Sequence, residues 1–397
     1  CIQLSSSNRF QKISGHFCSR RSSSGLYRLQ FFNILKLEER IMAAGNPQQS
    51  LRKALRVLKD STKVGLVNLN SDNKWLDIAI VKATNHDEVL PKEKHIKTIL
   101  DAVSVSKPRA DVAYCIQGLA KRLAKTRNWK VALKTLIVIH RALREVGPTF
   151  CQELINYSQG RALMLNLSHF RDDSSPVAWD YSAWVRTYAL YLEERVECYR
   201  ILKYDIIEKM CWKEKRLDIP DFLEHLPPLQ QLLFRLLGCK PEGAASSNSL
   251  INHTLSIVVG ESVNLYVAIT DGILILVEKY FEMQGHYAIR TLEIYKKAGN
   301  QAESLSELFE ICRGIYFGQG QKYIKIKQPP ASFLAAMEDY VKDAPTSLVF
   351  QSTAVSADRC IPLKEAPKVV AIPEEDLLTK KQDANVKEKS DQYEAKP

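Results

Sequence analysis

The chain has 397 residues, of which 45% are apolar and 25% charged, a balance that excludes a disordered chain and allows a sizeable hydrophobic core. Its 56 Lys and Arg outnumber its 45 Asp and Glu, and the net charge of +11 indicates an anionic partner such as nucleic acid, a phosphorylated ligand or an acidic membrane surface. Nine cysteines without a C-x-x-C pair argue against a zinc ribbon and a disulfide framework and favour a reducing compartment.

The first 41 residues differ from the rest of the chain. They begin with Cys1, are rich in serine and arginine, and contain no acidic residue before Glu38. A translated upstream leader explains this composition, and a transit peptide would share it. We therefore predict that 1–41 is a leader or a non-native extension outside the fold, and that Met42 is the natural start.

From about residue 50 to residue 340, apolar residues recur at helical spacing. Ile96, Ile99, Leu100 and Val103 follow the i, i+3, i+4, i+7 rule, and alternating strand patterns are scarce. Pro, Gly, Ser or Asp interrupts the pattern at SVSKPRAD, TRNW, VGPT, RDDSSPVAWD, DIPD, LPP and KPEGAASSNS. The sequence predicts an all-α domain over 50–345, with about ten helices packed as a bundle or a curved stack.

The segment SLRKALRVLKD, residues 50–60, is predicted to form a basic amphipathic helix. Its leucines share one stripe and its basic residues surround that stripe. Such a helix can lie in the interface of a membrane, and the alternative is an ordinary terminal helix docked on the core. The stripe consists of Leu51, Leu55 and Leu58, and the basic residues are Arg52, Lys53, Arg56 and Lys59.

The stretch KATNHDEVLPKEKH, residues 82–95, contains a basic cluster formed by Lys82, Lys92, Lys94 and His95. Pro91 suits the first position of a helix, which would place the last three in the first turn. Free backbone N–H groups and the helix dipole favour an anion there. Ammonium groups that converge at a helix start suit a phosphorylated headgroup, because lysine binds phosphate as a mobile point charge.

Helix geometry limits how closed this site can be. In a regular helix that starts at residue 92, Lys94 would point about 160° away from Lys92. We therefore expect an open, shallow surface site. The sequence leaves one alternative open, which is a solvated, lysine-rich helix start with Glu93 as a partial counter-charge.

The run from Val112 to Arg144 contains no acidic residue. In its second half, four basic residues fall within one arc of ~80° on an otherwise apolar helix. We predict a central helix with one basic edge, which we interpret as a solvated strip, and a contact with a membrane or a partner is the alternative. The basic edge consists of Lys130, Lys134, Arg141 and Arg144.

The sequence offers no catalytic constellation. Asp172 and Asp173 lie in a polar loop, where capping and solvation explain them. His140 lies in an apolar helix and is predicted to be a hydrogen-bonded core residue, since the histidines show no metal-ligand spacing. We predict that the protein is not an enzyme and has no metal site and no cofactor.

The most apolar region, residues 250–282, is interrupted by Glu261, Asn264 and Asp271. No uncharged run approaches the ~18 residues that a membrane-spanning helix needs, so we predict no transmembrane segment. Residues 346–397 mix Pro, Ser, Lys and Glu with few aromatic residues, which is typical of a flexible tail.

Several stretches resemble the ANTH domains of clathrin coat assembly proteins, in their plant branch. The spacing of KATNHDEVLPKEKH is similar to the lipid-binding motif of that family, and DYSAWVRTYALYLEERVECYRILKYD (180–205) and PPASFLAAMEDYVKDAP (329–345) resemble the same proteins. The resemblance covers about 50–345. It implies a superhelical ENTH/ANTH-like stack that binds phosphatidylinositol 4,5-bisphosphate through the basic cluster, with the segment 50–60 inserted in the membrane.

The same resemblance implies a peripheral membrane adaptor in clathrin-mediated endocytosis, in the cytoplasm at coated pits and vesicles of the plasma membrane, with the Golgi apparatus as a second location. Its tail would bind the clathrin heavy chain through Asp376, Leu377 and Leu378, which are similar to a clathrin-box motif. Adaptor complexes and synaptobrevin-type SNAREs are partners of some relatives. A basic helical scaffold for nucleic acid is the alternative, although the chain lacks a recognition-helix motif.

Overall fold

The computed structural model describes residues 60–61, 73–159, 164–205, 217–314 and 331–343. These residues form ten α-helices and two short 3-10 helices and contain no strand, which confirms the predicted all-α class. In chain order the α-helices are α1 (Lys74–Ala83), α2 (Glu93–Ala102), α3 (Arg109–Lys125), α4 (Trp129–Glu145), α5 (Pro148–Ser158), α6 (Val177–Leu202), α7 (Ile219–Leu237), α8 (Ser249–Glu278), α9 (Gly285–Gly314) and α10 (Ala331–Asp343).

Each helix packs mainly against helices that are close to it in the sequence. In the first half, α1 lies against α2, α3 against α5, and α4 against α6. In the second half, α7 contacts α6, α8 and α9, and α9 contacts α10. One hydrophobic core runs through all of them. The helices therefore form the predicted stack, in which each helix covers the apolar stripes of its neighbours.

Turn residues fix the starts of several helices. In VGPT, Gly147 has a φ of +85° and Pro148 is the first residue of α5, which matches the preference of glycine for positive φ and of proline for a first helical turn. In DIPD, the Asp218 carboxylate accepts from the backbone N–H of Asp221, and the Asp221 carboxylate accepts from that of Asp218. This capping box explains where α7 begins.

The predicted break at LPP is wrong, because α7 continues through Pro227 and Pro228. A proline inside a helix leaves the carbonyl four residues earlier without its usual donor. For Pro227 this is the carbonyl of Leu223, which accepts from the guanidinium of Arg290 on α9 at 3.2 Å. For Pro228 it is the carbonyl of Glu224, an exposed residue. A tertiary contact thus compensates for Pro227.

The long helix α8 lies in the core. By length and composition it is the one helix of the described residues that could cross a membrane, but half of its most apolar 18-residue window is buried inside the fold. One of its turns places the buried residue Glu261 against α4 and α6. We therefore describe α8 as a core helix.

A buried polar network surrounds the Glu261 carboxylate. Its Oε1 accepts from the Arg195 guanidinium at 2.5 Å and lies 3.1 Å from Nε of Arg144. Its Oε2 accepts from Nε2 of His140 at 2.8 Å and from the hydroxyl of Tyr191. Burial opposes ionisation of Glu261, yet its pKa lies well below the usual value because His140 and Arg195 stabilise the anion. The prediction that His140 is a hydrogen-bonded core residue is confirmed.

The adjacent acids of the loop before α6 have separate local roles. The Asp172 carboxylate accepts from the backbone N–H of Trp129 at 2.9 Å and from the Asn128 amide, so it caps α4. The prediction that Asp172 caps a helix is confirmed, whereas the prediction that it is solvated is wrong, because Asp172 is buried. Asp173 is exposed and pairs with Arg171. Neither acid needs a catalytic explanation.

Three predicted segments lie outside the described residues. These are the leader 1–41, the tail 346–397 with Asp376, Leu377 and Leu378, and the amphipathic segment apart from its last residue, Asp60. The functions assigned to these segments stay predictions.

Candidate functional site

The basic cluster lies where α1 ends and α2 begins. Lys82 is in the last turn of α1, and Lys94 and His95 are in the first turn of α2. The helix starts at Glu93, so the expectation that Pro91 is its first residue is wrong. Lys92 is the N-cap, with extended backbone angles (φ −66°, ψ 126°), and its carbonyl accepts from the backbone N–H of His95 at 2.9 Å.

This start changes the geometry that we expected for the lysines. Because Lys92 precedes the helix, the angle of 100° per residue does not fix the direction of its side chain relative to Lys94. The angle of about 160° that we expected between Lys92 and Lys94 therefore does not apply. The side chains of Lys82, Lys92 and Lys94 are exposed, and His95 is partly buried.

The charges of the basic cluster act on one imidazole ring. The pKa of His95 lies below its ordinary value, first because burial disfavours the charged ring and then because three ammonium groups repel it. In decreasing order of effect these belong to Lys94, Lys82 and Lys92. The two helix ends therefore bring the four side chains within electrostatic reach of one another. An anion bound among them would favour protonation of His95 and gain a fourth positive charge.

The lysines of the cluster have no acidic partner in the part of the chain that the structure describes: no carboxylate forms an ion pair with Lys82, Lys92 or Lys94. Glu93, the expected counter-charge, instead accepts two hydrogen bonds from the Arg141 guanidinium, at 2.6 and 3.0 Å. These bonds lower the pKa of Glu93. The lysine charges are thus available to an external anion.

The basic edge of α4 has a structural role that we did not predict. Lys134 is fully buried, and its ammonium donates to Oδ1 of Asn85 and to the backbone carbonyl of Asp87, both at 2.6 Å. Burial lowers the pKa of Lys134 to about 8. Lys130 pairs with Glu88, which also accepts from the Asn248 amide at 2.8 Å. These contacts hold the loop between α1 and α2.

The rest of the basic edge is also paired. Arg141 binds Glu93 and Glu145, and Arg144 lies beside Glu261. The interpretation of the edge as a solvated strip is therefore wrong. Glu145 lies one turn after Arg141 on the same helix, but the other acids, Glu88, Glu93 and Glu261, are distant in sequence, so no pattern within α4 reveals them.

The start of the same loop is held by a second set of contacts. The Arg122 guanidinium donates to the carbonyl of Thr84 at 2.6 Å and to its hydroxyl at 2.9 Å. The Asp60 carboxylate accepts from the backbone N–H of His86 at 3.0 Å and contacts its ring at 2.8 Å. Asp60 is the last residue of the predicted amphipathic segment. The loop that joins Lys82 to Lys92 is therefore rigidly positioned.

Replacing Lys134 by methionine is expected to lower the free energy of unfolding by ~1–3 kcal/mol. The substitution leaves the Asn85 and Asp87 oxygens without their donor, and the loss of a buried partner costs about that much. Denaturation in urea, followed by circular dichroism, measures the change.

Lys130→Met is the matched control on the same edge. Its partner Glu88 is partly exposed and keeps the Asn248 amide, so we expect a loss below ~1 kcal/mol. Equal effects of the two substitutions would contradict the role that we assign to Lys134.

The described residues contain no group of three or more His, Cys, Asp or Glu side chains that could hold a metal ion. Their cysteines are free and buried, at 115, 151, 198, 239 and 312. What the arrangement offers chemically is an exposed, positively charged surface on rigid backbone. It is suited to bind a compact anion with several negative charges.

Comparison with known proteins identifies the family. The sequence profile of the ANTH domain matches residues 75–343, more than half of the chain. Two Arabidopsis thaliana proteins named as clathrin assembly proteins, At2g01600 and At5g57200, are each 56% identical over 308 residues, and the clathrin coat assembly protein AP180 of that plant is 31% identical over 326 residues. The alignments cover 75%, 75% and 74% of this chain and 54%, 52% and 50% of the relatives, so the chain spans about half of their length. The chain belongs to the ANTH domain family.

Proposed function

We propose that this protein is a clathrin adaptor that binds phosphatidylinositol 4,5-bisphosphate on membranes. The observation that supports the proposal best is the basic cluster: three exposed lysines from two helix ends, without acidic partners among the described residues, around the partly buried His95. An inositol ring with two phosphate groups presents several negative charges in a small volume. Mobile ammonium groups on a rigid backbone match that chemistry.

The energies fit reversible recruitment. Each Lys or Arg near an anionic leaflet contributes ~1 kcal/mol, so the cluster supplies roughly 3–4 kcal/mol when His95 is protonated. This is weak binding on its own. Stable attachment needs a further contact, for which the amphipathic segment 50–60 and a coat partner are the candidates.

Vesicle co-sedimentation across a lipid panel tests the proposal. Phosphatidylcholine vesicles would contain the 4,5-bisphosphate lipid, singly phosphorylated phosphoinositides, or phosphatidylserine at matched surface charge. We expect the bisphosphate lipid to give at least about tenfold higher affinity than phosphatidylserine, since headgroup recognition adds to charge. Equal binding at matched charge would contradict headgroup recognition. Salt-sensitive RNA binding without lipid preference would favour the nucleic-acid scaffold instead.

The clathrin part of the proposal rests on the relatives and on the tail. The relatives are named as clathrin assembly proteins, and Asp376, Leu377 and Leu378 are proposed to bind the clathrin heavy chain. We further propose coated pits and vesicles as the location. Adaptor complexes and synaptobrevin-type SNAREs are further partners that kinship suggests, and no residue of this chain is assigned to them.

Substituting Leu377 and Leu378 by alanine is expected to reduce capture of clathrin in a pull-down with the full chain by about tenfold or more, because the apolar anchors of the motif are lost. The variant V369A/V370A removes two apolar residues from the same tail and should leave capture unchanged. Undiminished capture by the leucine variant would show that the motif is not the clathrin site.

A further inference from the structure

The loop between α1 and α2 exposes two adjacent apolar side chains between the lysines of the basic cluster. Val89 is 58% exposed and Leu90 is 43% exposed. Leu90 precedes Lys92 by two residues, so their Cα atoms are at most ~7 Å apart. The apolar pair therefore lies beside the unpaired lysine along the chain, and all three side chains are exposed.

Contacts on both sides of this pair fix the ends of the short segment that exposes it. Lys134 holds the carbonyl of Asp87, and Lys130 and Asn248 hold the carboxylate of Glu88, directly before Val89. On the other side, the α2 helix begins at Glu93. Residues 89–92 therefore connect two fixed positions. Val89 and Leu90 are exposed in this connection, and no contact of the fold explains why these positions are apolar.

The charges around the pair distinguish a bilayer from other occupants. An apolar surface flanked by cations matches the boundary between phosphorylated headgroups and acyl chains, where basic residues contact the headgroups and apolar residues enter the lipid. The nearby acids do not prevent contact with an anionic membrane, because both have cationic or polar neighbours. Glu88 pairs with Lys130, and the Asp87 carboxylate accepts from the Asn85 amide and lies near the buried Lys134.

We propose that Val89 and Leu90 form an apolar wedge that enters the acyl region of the membrane while the basic cluster binds the headgroup. This inference rests on the proposed phosphoinositide function and adds a second, apolar contact to it. Binding of the headgroup would then place the wedge at the depth of the lipid glycerol groups. The wedge makes the protein distinguish a lipid in a bilayer from the same headgroup free in solution.

The variant V89S/L90S in the full chain tests the wedge. We expect its affinity for phosphatidylcholine vesicles that contain the 4,5-bisphosphate lipid to fall about tenfold, equivalent to ~1.4 kcal/mol. Its affinity for soluble inositol 1,4,5-trisphosphate, measured by calorimetry, should equal that of the wild type. Thermal unfolding should also be unchanged, because both side chains are exposed.

The variant I201S/F234S is the matched control. Ile201 on α6 and Phe234 on α7 are 46% and 55% exposed, close to the exposure of Leu90 and Val89, and neither helix contains a residue of the basic cluster. Its vesicle affinity should remain that of the wild type. A loss equal to that of V89S/L90S would overturn the wedge, because it would reflect general surface hydrophobicity.

Other outcomes decide between the wedge and its alternatives. Wild-type vesicle affinity of V89S/L90S overturns the wedge but leaves the headgroup site intact. Loss of trisphosphate binding by this variant would assign the pair to the headgroup site and overturn the wedge. A dimeric wild type and a monomeric variant, both measured without lipid, would assign the pair to self-association and overturn it as well. If the wild type binds neither the trisphosphate nor the vesicles, the proposed function itself fails.

Discussion

Replacing Lys92 and Lys94 by glutamate is expected to abolish vesicle pelleting that depends on phosphatidylinositol 4,5-bisphosphate. The double substitution changes the charge at the proposed headgroup site by four units, and each unit near an anionic leaflet contributes ~1 kcal/mol. The affinity should therefore fall by roughly three orders of magnitude. Both side chains are exposed, so the fold should tolerate the change. Co-sedimentation over a range of lipid concentrations measures the loss.

The variant K107E/K279E separates local recognition from net charge. Lys107 and Lys279 are exposed, belong neither to α1 and α2 nor to the loop between them, and change the total charge by the same amount. We expect at most a severalfold loss, which added salt should remove because it screens charges beyond about 10 Å. If both variants lose binding equally, the cluster is not a specific site. If neither loses binding, the site lies elsewhere.

Substituting Glu261 by alanine is expected to lower the free energy of unfolding by ~3–5 kcal/mol. Removal of one partner from a buried ion pair costs this much because the other charge stays buried without compensation. The variant would remove the Glu261 carboxylate from Arg195, which keeps Asp205, and would deprive the Tyr191 hydroxyl of its acceptor. Urea denaturation compares the variant with the wild type.

The same substitution on the surface is the control. Glu307 is 60% exposed and pairs with Lys240 at 2.8 Å. Glu307→Ala should change the free energy of unfolding by less than ~1 kcal/mol, since solvent screens exposed pairs. A small effect of Glu261→Ala, similar to that of Glu307→Ala, would mean that the network does not stabilise the fold as we describe.

Local signals explain what could be predicted from the sequence. The helical period, the capping residues of α7 and the Gly-Pro start of α5 act within one or two turns, and the structure agrees with them. The basic cluster was found for the same reason, because its lysines and His95 lie within fourteen residues. His140 was interpreted correctly, since a single histidine among apolar residues needs a buried partner, but nothing in the sequence identified that partner as Glu261.

What the sequence could not predict depends on residues that are distant along the chain. The two prolines of α7 looked like a break because Arg290, which compensates for Pro227, lies on another helix. Lys134 looked solvated because its acceptors, Asn85 and Asp87, precede it by more than forty positions. Helical spacing gives the direction of a side chain, whereas only packing determines what lies there.

A crystal structure of the protein with soluble inositol 1,4,5-trisphosphate tests the central claim most directly. We expect phosphate oxygens within hydrogen-bonding distance, ~2.7–3.2 Å, of the ammonium groups of Lys82, Lys92 and Lys94 and of the His95 ring, with the loop held by Lys134 unchanged. A headgroup bound at another surface, with these four side chains free of it, would contradict the claim.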